Sequence, residues 1–350
     1  MFFSAKSKNF FVDYNEHSIL LARTSKPEVP FVIEEIVECV AGDAAAFAEA
    51  IKTLQSAKSS SGYLHATCGM HAPRRVVRKL TLDVKRLKEP AYLNELAVQQ
   101  LRIEPDQHML ALLNPMNGAD YDMVKATQKD VLICGVPTAD VNKSQDELLA
   151  SGVYPETMEL SSVASIGAMV DYLAFAKIKT PVLMLEVEAG MTHSFIVTSS
   201  GLEASRPIQQ GLEAMIPVVQ KELGLKDEAS ARKLFLSNTF DFTGMGSVLI
   251  KKLIKELQSS IGFYEVQTGQ SIGQIACTLL PSKLGWLENA IATDLGVSVL
   301  KPDLPAWLQS RQITLADNVP VAAQDIRRLG LFGLMVQFNN SHAAVPEKTQ

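Results

Sequence analysis

One pattern occurs twice in this chain and constrains its fold more than any other feature. Asn9 to Leu21 reads NFFVDYNEHSILL, and Val182 to Val197 reads VLMLEVEAGMTHSFIV. Each is an apolar run holding one acidic residue (Asp13, Glu186), then a short polar turn, a hydroxyl (Ser18, Thr192) and a second apolar run. Each leads into a third apolar stretch and then a segment of helical spacing. A unit of strand, turn, strand, strand and helix repeated about 170 residues later is an internal duplication. It implies two related α/β lobes, each burying one face of its sheet under helices. A ligand site is expected in the cleft between such lobes.

The rest of the chain fits around these units. Asp43 is a fair N-cap for AAAFAEAIKTLQSA, and Ser59 to Gly62 breaks that helix. Between about Met70 and Ala150 the character changes. A basic stretch, Arg74 to Lys88, precedes a helical segment from Pro90 to Arg102 and strands at His108 to Leu113 and Val131 to Val136. This reads as a small inserted α+β subdomain. A helix to Ala150 stops at Ser151-Gly152. A strand to Leu160 and a nearly charge-free helix, Ser161 to Ala176, follow. Ser247 to Tyr264 carries an i, i+4 stripe of Leu249, Leu253, Leu257 and Ile261. Leu329 to Phe338 is read as a closing apolar strand. The expected domains are 1–69 plus 151–178 for the first lobe, 70–150 for the insert, 179–340 for the second lobe and 341–350 for a disordered tail.

Bulk properties exclude several classes. At 350 residues the chain can bury a large core, and a net charge of −5 does not suit a general nucleic-acid binder. No apolar run reaches the roughly 18 residues a transmembrane helix needs, and the start lacks the apolar core of a secretory signal. The four cysteines, Cys39, Cys68, Cys134 and Cys277, form no CxxC pair and read as buried free thiols in a reducing compartment.

Three further stretches carry a family likeness. Val131 to Met169 runs strand, helix, Gly-terminated turn, strand and buried helix. Ile208 to Leu234 begins a helix near a Gly and runs into ELG and an EA helix. Leu253 to Leu280 joins a long helix to a strand. With the duplication, these resemble the actin-like ATPase fold, whose lobes are ribonuclease H-like, and within it the type IV pilus assembly protein PilM family. The cell-division protein FtsA is a more distant likeness. The resemblance implies a cytoplasmic adaptor, peripheral to the inner membrane, that captures the short cytoplasmic tail of a PilN-like membrane protein. It implies a partner groove in the insert region, represented by Arg74, Arg75, Arg78 and Lys79.

Where that family holds its nucleotide, this sequence departs three times. The first phosphate loop, normally Asp-x-Gly-Ser/Thr, reads Asp13-Tyr14-Asn15-Glu16, with Ser18 following. The second, normally Asp-x-Gly before a Thr-rich turn, reads Glu186-Val187-Glu188, with Thr192 kept. The adenosine-side glycines are replaced at Leu279 and Leu280, followed by Pro281. Backbone N–H groups hold phosphate at close approach, and glycine provides that approach. Asn15 is the mildest change, because Asn tolerates left-handed dihedrals. Glu188 would stand beside phosphate oxygens, where two unit charges about 4 Å apart repel by roughly 4 kcal/mol. A micromolar site is worth about 8 kcal/mol, so these changes together can abolish it. The reading is a degenerate nucleotide cleft with no catalytic residue and no resident cofactor. An ATP·Mg²⁺-binding ATPase or sugar-kinase-like enzyme of the same fold, keeping Asp13 and Thr192, is the alternative. A filament-forming protein is a third.

Two smaller features read as structural. His17 and His193 occupy corresponding turns and could meet on a metal or an anion, but no tight ligand spacing supports it, so both are expected as solvated turn residues. Gly244-Met-Gly246 could offer N–H groups to an anion but reads as a plain helix entry.

Overall fold

The computed structural model describes residues 10–55, 62–89, 91–116, 118–123, 129–237, 239–320 and 324–343. The chain divides into two compact units: one runs to Tyr172 and resumes at Asp303, and the other spans Leu173–Pro302.

The first unit is built on the hairpin of β1 (Phe10–Tyr14) and β2 (Ser18–Thr24), followed by β3 (Phe31–Val40) and helix α1 (Ala44–Leu54). Asp43 caps α1 by accepting from the Ala46 amide at 2.9 Å. The chain crosses back to β4 (Leu64–Met70), which runs parallel to β1. Past the insert, α3 (Thr138–Ala150) ends at Gly152, whose φ of +88° is the left-handed stop expected there. β8 (Val153–Leu160) then pairs parallel with β4 and leads into α4 (Ser161–Phe175). One face of this sheet buries Val12, Leu21, Leu64 and Cys68 against Phe47 and Leu54 of α1.

The insert is a three-stranded antiparallel sheet in the order β5 (Val76–Thr81), β7 (Asp130–Pro137), β6 (His108–Leu113). A helix, α2 (Tyr92–Leu96), continues into a π turn at Ala97–Leu101 and closes a small core with Leu82, Val131 and Ile133.

The second unit repeats the plan. β9 (Val182–Val187), β10 (Thr192–Thr198) and β11 (Gly201–Ile208) form the antiparallel part. A 3₁₀ turn at Leu212–Met215 opens α5 (Ile216–Glu222), followed by α6 (Glu228–Ser237) and α7 (Gly246–Thr268). β12 (Gln274–Leu279), α8 (Gly285–Leu295) and β13 (Ser298–Val299) complete it. Its strand order, β11-β10-β9-β12-β13, matches the β3-β2-β1-β4-β8 portion of the first sheet. Both run antiparallel, antiparallel, parallel, parallel. The duplication read from the two hairpins is therefore a duplication of the whole sheet.

The chain then rejoins the first unit, which corrects the expected second-lobe boundary at residue 340. α9 (Leu304–Ser310) leads to β14 (Ile313–Leu315), which adds a sixth strand beside β3, and α10 (Leu329–Ala343) packs on β1 and β4. Trp307 of α9 is buried, and its indole N–H donates to Asp171 of α4 at 2.8 Å. α10 also corrects the closing strand expected at Leu329 to Phe338. Every residue from Leu329 to Val336 is buried, so that stretch has no polar face and no amphipathic period. The expected tail beyond residue 343 lies outside the described residues.

Gly333 is where α10 and α4 come closest. A Cβ there would stand 2.3 Å from the carbonyl oxygen of Ala164, and backbone cannot yield as a side-chain tip can. Gly333→Ala should cost about 1–3 kcal/mol, seen as a lowered midpoint in thermal or denaturant unfolding.

All four cysteines are buried and free. Burial pushes the Cys68 and Cys134 thiols up to about 12, so neither is a thiolate at neutral pH. Among the described residues no helix is long and apolar enough to cross a membrane.

Candidate functional site

The first turn is closed on itself. Asn15 is 5% exposed, and its side-chain oxygen accepts from the amides of His17 at 2.8 Å and Ser18 at 2.9 Å. Its own amide donates to the Ser18 carbonyl at 3.1 Å, and its carboxamide nitrogen reaches Ser18 Oγ at 3.4 Å. This is an Asx turn, in which the side chain supplies the acceptor that a ligand oxygen would otherwise bring. Asn15 does not adopt positive φ. It is thus tolerated for its acceptor, not for the left-handed freedom expected from the sequence.

Asp13, two residues earlier on β1, is 2% exposed. Ser161, the first residue of α4, donates its hydroxyl to Asp13 Oδ1 at 2.5 Å, and His71 Nε2 lies 3.8 Å from the same oxygen. Gly330 of α10 presses on the other oxygen: a Cβ there would be 2.6 Å from Asp13 Oδ2 and 3.2 Å from Ser165 Oγ. The carboxylate thus sits at the first turns of two helices, whose leading amides favour negative charge. Ser161, Ser165 and Gly330 were not singled out in the sequence. The signals available were the serine-rich start of a charge-free helix and the i, i+3 spacing of Gly330 and Gly333.

In the second unit, Glu186 and Glu188 are buried on and after β9, and His193 is buried on β10. His193 lies opposite Glu186 in the ladder, and its Nε2 is 3.4 Å from Glu188 Oε2. The expectation of two solvated histidines therefore fails for His193. It holds better for His17, which is part exposed and lies 3.2 Å from Glu16 Oε1. The second turn is clamped to the segment after β11. Leu212 and Glu213, at the start of the 3₁₀ turn, donate their amides to the carbonyls of Glu188 (2.9 Å) and Ala189 (2.8 Å). Thr192 Oγ1 donates to the Gln210 carbonyl at 2.7 Å. Gly211 permits this closeness, since a Cβ would meet the Glu188 and Ala189 carbonyl oxygens at 2.4 Å.

Leu279 and Leu280 are both buried. Leu279 pairs with Glu186 across the β12–β9 ladder, and Leu280 belongs to the core of the second unit. Gly246 serves helix packing: a Cβ would approach Ala290 of α8 to 2.8 Å. Among the described residues no group of His, Cys, Asp or Glu is placed to hold a metal ion.

The basic stretch of the insert is largely spent internally. Arg74 is two-thirds exposed and forks onto Asp140, with Nη2 at 2.7 Å and Nε at 3.3 Å. Arg75 is 3% exposed; its Nε donates to Ser162 Oγ at 2.6 Å and its Nη1 to the Ala72 carbonyl at 2.8 Å. It is a buried strut between the insert's first strand and α4, not a surface group, which corrects its place in the expected groove. Arg78 is half-buried on β5, and Lys79 lies 3.9 Å from Asp130. Arg86 bridges Glu89 and Glu95, each at 2.8 Å, over the ring of Tyr92.

Two predictions follow from these placements. Arg75→Ala leaves a hole and two unmatched polar groups and should cost about 3 kcal/mol in denaturant unfolding, whereas Arg74→Ala should leave the midpoint unchanged. Glu159, opposite Gly69 on β8, has its carboxyl raised by burial. A carboxyl raised by folding contributes stability below its unfolded value, and that contribution fades as pH rises through the folded one. Glu159→Gln should therefore raise the melting temperature at neutral pH, with the gain disappearing on acidification.

No family model and no curated protein matches the sequence. Among solved structures, one of the PilM–PilN type IV pilus biogenesis complex superposes with a TM-score of 0.68, covering 95% of this chain and 98% of that one at 14% identity. The ethanolamine utilization protein EutJ from Carboxydothermus hydrogenoformans covers 94% of this chain and 89% of its own at TM-score 0.44 and 10% identity. The cytoplasmic domain of EpsL, an inner membrane component of the Vibrio cholerae type II secretion system, covers 95% and 94% at TM-score 0.42 and 9% identity. With its sheet duplicated strand for strand, the chain has the actin-like ATPase fold, in the form seen in the PilM–PilN structure.

Proposed function

We propose that this chain is a PilM-type adaptor of a type IV pilus or related secretion machine that binds a PilN-like membrane-protein tail and holds no nucleotide. The observation that carries the second half is the Asn15 turn. The amides of His17 and Ser18, which a phosphate would need, already donate to the Asn15 side chain. Releasing them costs hydrogen bonds worth about 1 kcal/mol each. The second turn supports the same reading, because its carbonyls take up the Leu212 and Glu213 amides and Thr192 is committed to Gln210. The Glu188 carboxyl is buried at the same turn, filling space a phosphate would need, and Leu280 is core. ATP with Mg²⁺ is a poor fit to these residues.

Adaptor function is supported by the likeness to the PilM–PilN structure over nearly the full chain. A cytoplasmic location at the inner membrane belongs to the same proposal. The proposed partner groove lies in the insert near Arg74 to Arg102, with Arg78 and Lys79 as its candidate basic residues and Arg74 available only if it leaves Asp140.

Two measurements test the two halves separately. Calorimetric titration with ATP·Mg²⁺ should show no binding tighter than the millimolar range, and a micromolar Kd would overturn the occupied-turn reading. A synthetic peptide of the short cytoplasmic tail of a PilN-like membrane protein from the same genome should bind the full protein. Arg78→Glu with Lys79→Glu should weaken it. No binding by the unaltered protein would overturn the adaptor half.

A further inference from the structure

The second unit carries a surface that neither the nucleotide reading nor the tail-binding reading uses. Helix α7 is 23 residues long and packs one side into the core through Leu249, Ile250, Leu253, Ile254 and Leu257. Its opposite side carries an exposed stripe: Val248, Lys252, Lys255, Ser259, Phe263 and Val266. The intervals of four, three, four, four and three residues keep these positions on one helical face. The stripe is about 27 Å long at the rise of an α-helix.

Two properties distinguish it from an ordinary solvated face. Val248, Phe263 and Val266 are 49%, 66% and 88% exposed, which is unusual for three large apolar groups on one helix side. Lys251, Lys252 and Lys255 are exposed and have no ion-pair partner among the described residues, while Arg206 and Arg232 of the same unit are matched by Glu256 and Glu213. Val248, Lys251 and Lys252 also form one wall of an apolar groove of about 180 Å³ between α7 and α5. Met215, Val218 and Leu249 line it.

We infer that this face docks an acidic amphipathic helix of a partner protein, laid along α7 with its apolar side chains in the α5–α7 groove. The charge complementarity rests on two unmatched cations on the stripe, Lys252 and Lys255, with Lys251 beside them on the groove wall, while the neighbouring carboxylate, Glu256, is taken by Arg206. The length fits a helix of about five turns. Grooves of this kind are filled by apolar anchors at i, i+3, i+4 and i+7 of an incoming helix. A flat bilayer matches the geometry less well, because it cannot enter a concave groove to reach Met215 and Val218. The chain's net charge of −5 also opposes adsorption to anionic lipid.

The test is a display selection of random helical peptides against the full-length protein, with isolates measured by fluorescence anisotropy. The isolates should share Asp or Glu interleaved with Leu, Ile, Met or Phe at three- and four-residue spacing. Lys251→Glu with Lys252→Glu should weaken their binding by about tenfold or more, and Val248→Asp should do likewise. Lys52→Glu on α1 should change nothing. These positions are exposed, so an unchanged melting temperature will show that the variants fold. Isolates without that acidic and apolar spacing, or binding indifferent to the reversals, would overturn the inference. So would co-sedimentation with phosphatidylserine vesicles that the same reversals abolish, which assigns the face to a membrane. Concentration-dependent dimerisation abolished by the reversals would assign it to a second copy instead.

Discussion

The Asp13 carboxylate is the point on which the first unit turns. A buried charge is retained only where polar partners repay its lost hydration. Here the repayment comes from the Ser161 hydroxyl, from His71 nearby and from the first turns of α4 and α10. That requirement brings both helix starts over the end of β1. It explains why the chain needs Gly330 where α10 meets the carboxylate and Gly333 where the same helix crosses α4. The last described helix is thereby tied to the first described strand. It also explains why the segment from Asp303 returns to the unit that holds Asp13 rather than continuing the one before it.

The two hairpin turns solve one problem in different ways. A turn whose amides face inward must find acceptors for them. The first finds its acceptor in the Asn15 side chain; the second pairs the Glu188 amide with the Met191 carbonyl and offers its remaining carbonyls to the amides that open the following 3₁₀ turn. Both solutions are local and need nothing from outside the chain. A glycine at position 15 would leave the His17 and Ser18 amides to water or to a ligand. The departure from the glycine pattern is therefore not simply a loss of reach. It installs an internal competitor for the same donors, and that competitor acts whether or not the Glu188 charge does.

Much of the fold was legible in the chain for definable reasons. The hairpins show because period-two alternation is interrupted by a short polar turn, and the Asp43 cap and the Gly152 stop act within one turn of their own helices. The duplication shows because both copies keep the order of acid, turn, hydroxyl and strand. What stayed hidden depends on long-range packing. Leu329 to Val336 of α10 read as a strand because burial on all sides of that stretch removes the polar face that betrays a helix. β14 is three residues long and exists by pairing with β3, nearly 300 positions earlier. In the site, Asp13 and Asn15 were visible as residues, but their roles lie in partners at Ser161 and Gly330 and in the direction the carboxamide faces.

Charge counting shows the same division between composition and arrangement. The run from Arg74 to Lys88 is the most basic segment in the sequence, yet Arg75 is buried, and Arg74, Lys79 and Arg86 each lie against a carboxylate. Its net field is far weaker than its composition suggests, because opposite charges at contact distance cancel beyond about a Debye length. Lys251, Lys252 and Lys255 are fewer and less conspicuous in sequence, but none has an ion-pair partner among the described residues, and the neighbouring Glu256 is taken by Arg206. Long-range attraction follows uncompensated charge rather than the number of basic residues. By that criterion α7 is an electropositive surface that composition does not announce, while the insert run keeps only Arg78, Lys85 and Lys88 of its seven basic residues without an ion-pair partner among the described residues.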